Sequence, residues 1–110
     1  MGATKERFLY FGFMETSAHF RDAVEGLHGC PATYRETIHV EETFQGEPVW
    51  EGDVYVFDLD RHDMANVAYA WSEPVEGSNR HRFFAVLHAG PVKSAQEAVR
   101  ASIIAEAKGS

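Results

Sequence analysis

The chain of 110 residues contains a single cysteine, Cys30. An internal disulfide is therefore impossible, and a reducing compartment is the expected setting. Basic charge is also scarce. Ten Lys and Arg stand against 17 Asp and Glu, a formal net charge of −7 at pH 7. Such a surface repels phosphate backbones and anionic headgroups, so no nucleic-acid and no membrane partner is expected. The one basic cluster, Arg80-His81-Arg82, is too small to reverse that balance.

Long apolar runs are missing. The longest near the start, "FLYFGFM" from Phe8 to Met14, falls far short of the ~20 residues a membrane helix needs. Lys5 and Arg7 precede it and raise an export-leader reading. Glu15 follows at once and no small-x-small cleavage site is evident, so a cytoplasmic location is expected. Phosphate-binding glycine patterns of the GxGxxG or GxxxxGK type are absent, as is a GxSxG elbow. Nucleotide-cofactor enzymes and α/β-hydrolases are thereby disfavoured, and no cofactor is expected. The six histidines show neither H-x-x-x-H nor H-x-H spacing, so a metal site would need assembly from distant parts of the chain and none is expected.

The residues present describe a folding sequence. Hydrophobic residues make up 45% and aromatics 13%, in a length that suits one domain spanning 1–110. Phe8–Met14 reads as a strand, with the start of a longer helix as the alternative. From Ser17 to His28 the residues Phe20, Ala23, Val24 and Leu27 recur at helical spacing. Gly29 is placed for the left-handed residue that ends a helix, and Pro31 stops continuation. Tyr34 to Phe44 alternates, with Tyr34, Ile38, Val40 and Phe44 assigned to one face and Arg35, Thr37, His39, Glu41 and Thr43 to the other. "QGEP" is a turn. Val49–Leu59, with a bulge expected near Gly52, Val67–Glu73 and His81–His88 are three further strands. Ser94-Ala95-Gln96-Glu97 is a capping-box pattern before a helix reaching about Ala107.

The fold class expected is α+β, a four-stranded antiparallel sheet with the N-terminal and C-terminal helices packed on one face. The order of elements is similar to that of double-stranded RNA-binding domains, but the acidic charge argues against that function.

Strand parity carries the functional expectation. In Val67–Trp71, Ala68 and Ala70 share one face, where a helix can approach closely. Val67, Tyr69 and Trp71 share the other. The neighbouring strands are also apolar on both faces. Two helices on the alanine face leave an aromatic face that is either ordinary core or in need of a cover: a second copy of the chain, the N-terminal Phe8–Met14 segment, or an apolar or aromatic ligand. Trp50, Tyr55, Phe57, Tyr69 and Trp71 are the candidate ligand-binding residues, although Trp50 and Tyr55 differ in parity unless a bulge intervenes.

Polar chemistry is sparser. Asp58, Asp60 and His62 in "DLDRHD" are candidate catalytic residues for acid–base work. The same stretch also reads as a polar turn, because Asp and His side chains bond local backbone. Cys30 follows a helix C-terminus, where the dipole opposes thiolate formation, so it reads as structural. Glu36 and Glu42 share the parity of Ile38 and Val40, so an inward carboxylate near a strand end can line a pocket mouth. Three functions follow as expectations: a homodimeric or ligand-binding module, a cofactor-independent enzyme using Asp58, Asp60 and His62, and an acidic partner-binding protein.

Overall fold

The computed structural model describes residues 17–109. The reading of Phe8–Met14 lies outside them. The elements in chain order are helix α1 (17–28), strands β1 (Ala32–Phe44), β2 (Glu47–Leu59), β3 (Val67–Pro74) and β4 (His81–Leu87), and helix α2 (Ala95–Gly109). The four strands form one antiparallel meander in the order β1-β2-β3-β4. The α+β class is thus as expected. Among the described residues no helix is long and apolar enough to cross a membrane.

Local chemistry sets each boundary. Gly29 adopts φ +67° and its N–H reaches Glu25 O, ending α1. The Glu25 carboxylate accepts the N–H of Ala32 at 2.8 Å and ties α1 to the first residue of β1. Gln45 and Gly46, with φ of 53° and 81°, form the two-residue turn that antiparallel twist favours. At the start of α2, Ser94 Oγ accepts the N–H of Glu97 at 3.1 Å, and the Glu97 carboxylate accepts the N–H of Lys93.

Two irregularities decide which way the side chains of the hairpin face. The first sits in β1 between Tyr34 and Glu36. Arg35 is the extra residue there, and its guanidinium pairs with Asp58. Tyr34 is thereby turned to the opposite face from Ile38, correcting the alternation expected for this strand. Its ring meets Tyr55 and Phe57. The second sits where Glu42 pairs with Trp50 while Thr43 pairs with Pro48. This bulge precedes Trp50 instead of lying near Gly52. Trp50 therefore keeps the parity of Val54 and Val56 and faces away from Tyr55.

The helices occupy opposite faces of the sheet, and here the expectation of a shared face is corrected. On one side Phe20 and Val24 of α1 pack with Ala32, Tyr55, Phe57, Leu59, Ala68 and Ala70. Phe20 stacks on Tyr55 with ring centroids 4.4 Å apart and meets Phe83 edge-on at 5.3 Å. On the other side Ala95, Ala98 and Val99 of α2 pack with Val40, Val54, Val56, Tyr69 and Trp71. The reason is energetic. Both faces of β2 and β3 are apolar, and each aromatic side chain offers roughly 150–250 Å² for burial. One helix per face removes both surfaces from water, whereas two helices on one face would leave Tyr69 and Trp71 wet. The alanine stripe of β3 admits the bulky Phe20, and the small residues of α2 admit the bulky Trp71.

Candidate functional site

The five candidate ligand-binding residues do not form one surface. Tyr55 and Phe57 lie under α1, while Trp50, Tyr69 and Trp71 lie on the α2 side. Trp71 is 1% exposed, stacked on Phe84 at 5.2 Å and edge-on to Trp50 at 6.1 Å. A single carboxylate, Glu73, accepts both indole N–H groups, from Trp50 at 3.0 Å and from Trp71 at 3.2 Å. Tyr69 is buried, and its hydroxyl shares a hydrogen bond with His88 Nδ1 at 2.7 Å. Burial pushes the phenols of both Tyr55 and Tyr69 above the usual tyrosine range. The cover of the aromatic face is α2 of the same chain.

Asp58, Asp60 and His62 each engage a different partner. Asp58 pairs with Arg35, an ion pair that, with its hydrogen bond foremost, raises the arginine further above its already high value. Asp60 pairs with Arg61, which holds a left-handed φ of 60°, and its N–H reaches Pro31 O. His62 Nδ1 accepts the N–H of Met64 at 3.0 Å, and its ring lies edge-on to His28. Asp58 bonds across the sheet to β1, whereas Asp60 and His62 make the short-range bonds of a polar turn joining β2 to β3.

A different surface gathers the features of a site. Seven large hydrophobic residues are exposed among the described residues, and three of them, Phe44, Val49 and Ile104, converge on one groove. The groove lies between the far end of the β1–β2 hairpin and the C-terminal half of α2. Its volume is about 500 Å³, and Ile103, Ala107 and Thr43 complete its walls. It exists because both strands of the hairpin run beyond their partner. The pairing of β2 with β3 covers Tyr55–Asp58 only, so the outer half of the hairpin has no third strand beside it; it packs on α2 and, through Trp50, on Trp71 and Glu73.

Glu42 and Arg100 stand at the polar end of this groove. Glu42 is 9% exposed and is the one polar residue in the buried core among the described residues. Gln96 Nε2 donates to it, as does the Arg100 guanidinium at 3.3 Å. The Gln96 bond first, then Arg100, hold its carboxyl below the ordinary glutamate range against the opposing effect of burial. Parity of β1 had pointed Glu42 inward. Phe44, Val49 and the outer residues of α2 escaped sequence reasoning because the groove forms only where hairpin and helix meet.

The opposite face of the same hairpin is polar. His39 and Glu41 of β1 lie directly across from Asp53 and Glu51 of β2. His39 Nδ1 pairs with Asp53 at 2.9 Å and Nε2 with Glu51 at 2.8 Å. These bonds, Asp53 first, raise the imidazole above its ordinary value. The face expected to be solvent-exposed is therefore so.

No protein-family model matches this chain, and no curated protein or solved structure shows significant similarity to it.

Proposed function

We propose that the protein is a binding module whose groove between the β1–β2 hairpin and α2 takes a small, largely apolar ligand. The observation that carries this reading is the convergence of Phe44, Val49 and Ile104 on one concavity of about 500 Å³ headed by the Glu42–Arg100 pair. Its size falls within the ~300–1,000 Å³ typical of small-molecule sites. Apolar walls with a few polar groups at one end suit a ligand with an apolar body and one polar group.

The test is a titration with the neutral fluorescent probe N-phenyl-1-naphthylamine. Saturable enhancement in the wild type, lost in Ile104→Glu and Ala107→Trp with unchanged far-ultraviolet circular dichroism, supports the reading. Equal enhancement in all three proteins, or none in any, removes it.

A second reading is self-association to a homodimer through the same patch. It is favoured by the position of β1 at the edge of the sheet and by Phe44 and Val49 protruding at the hairpin end. A dimer in native mass spectra that Ile104→Glu converts to monomer assigns the groove to a second copy instead of a ligand.

A further inference from the structure

We propose that His39, Glu41 and Glu51 form a binding site for a divalent transition-metal ion of the Zn²⁺ type on the exposed face of the β1–β2 hairpin, with Asp53 as the partner that orients His39. One donor atom from each of the three ligands lies within 4.8 Å of the others. The donor set is one imidazole nitrogen and two carboxylate oxygens, ligand types that Zn²⁺ accepts.

The register of the hairpin builds this cluster. His39 faces Asp53 and Glu41 faces Glu51, and side chains at alternate positions of each strand share one face. The four residues thus form a square anchored on two hydrogen-bonded strands. Glu41 and Glu51 are like charges placed directly opposite each other, an arrangement that destabilises a strand pair unless a cation intervenes. The cluster retains excess negative charge even when His39 is protonated.

The roles of the two imidazole nitrogens follow from geometry. Nδ1 is bonded to Asp53, and a carboxylate on the far nitrogen fixes the orientation of a metal-bound histidine and raises its basicity. Nε2 points toward Glu51 and is the nitrogen left for the ion. Ligand atoms ~2.0–2.1 Å from a tetrahedral ion stand roughly 3.3 Å apart, so the Nε2–Glu51 distance of 2.8 Å opens slightly to admit it. Both side chains are more than half exposed and have the room to do so. Three protein ligands leave the fourth position to water or to a donor brought by a partner.

Zn²⁺ titration followed by calorimetry, with Co²⁺ absorption as the geometric probe, tests the site. The expected result is one ion per chain, with binding abolished in His39→Gln and in Glu51→Gln. Asp53→Asn should weaken binding roughly 10–100-fold, the usual cost of losing an orienting partner. His62→Gln and His88→Gln should leave it unchanged. All these positions lie outside the buried core, and circular dichroism verifies folding of each variant. Absence of binding at millimolar Zn²⁺, or binding that His39→Gln leaves intact, overturns the proposal.

Discussion

Replacing Trp71 with Ala measures whether the aromatic face of the sheet is core. The indole is buried between β3 and α2, stacked on Phe84, and donates its N–H to Glu73. Removing ~200 Å² of buried aromatic surface at about 25 cal/mol per Å² forfeits roughly 5 kcal/mol. Loss of the Phe84 stack adds about 1 kcal/mol. Partial collapse offsets some of this, because Trp50 next to it is only half-buried and can lean in. The net expectation is about 4 kcal/mol, inside the range of ~3–5 kcal/mol seen for Trp→Ala in cores. With a guanidinium slope of ~3 kcal/mol per molar, the unfolding midpoint should fall by about 1.3 M. Phe44→Ala, at a residue 66% exposed, is the control and should shift stability by no more than ~0.5 kcal/mol. A loss below ~1.5 kcal/mol for Trp71→Ala would refute the reasoning, since a residue under α2 cannot be removed so cheaply. A changed native mass or ligand retention with unchanged stability would return Trp71 to the role of a surface contact.

Two other perturbations probe the groove and the hairpin. Glu42 has a depressed carboxyl pKa, so its ionised form contributes stability that is complete above the ordinary glutamate value and is lost as pH falls through its own lower value. Glu42→Gln removes that term. The stability difference from wild type should therefore be about 1.5–3 kcal/mol at neutral pH and shrink in acid, as urea unfolding at several pH values would reveal. A difference independent of pH would mean that the carboxylate charge plays no part. Gly52→Val should push Trp50 off Glu73, because even a Cβ at position 52 would meet the Trp50 ring at 3.0 Å. Tryptophan fluorescence should report a more solvated indole, and an unchanged spectrum would show that the ring already lies elsewhere.

How much was legible beforehand varied with the range of the interaction. Helix ends were readable because Gly29 and Ser94 act within a few residues of their own position. The strand alternation of β3 was readable for the same reason. The face of Tyr34 was not, because one bulged residue at Arg35 reverses every side chain beyond it. The acidic stretch read as a polar turn, with catalysis as the lesser alternative, because sequence proximity alone does not give side-chain direction. In space Asp58 turns to Arg35, while His62 bonds to Met64. The His39 cluster was missed although its pattern, H-x-E before the turn and E-x-D after it, is visible once the two strands are set in register.

By itself the sequence determined the α+β class, the antiparallel order, the helix caps and the two apolar faces of the central strands, all consequences of periodicity and local backbone chemistry. The tertiary structure alone decided that the helices split between the faces, that Trp71 is core, and that Phe44, Val49 and Ile104 meet in a groove. Those outcomes depend on which surfaces find one another across dozens of residues, and only the packed chain settles that competition.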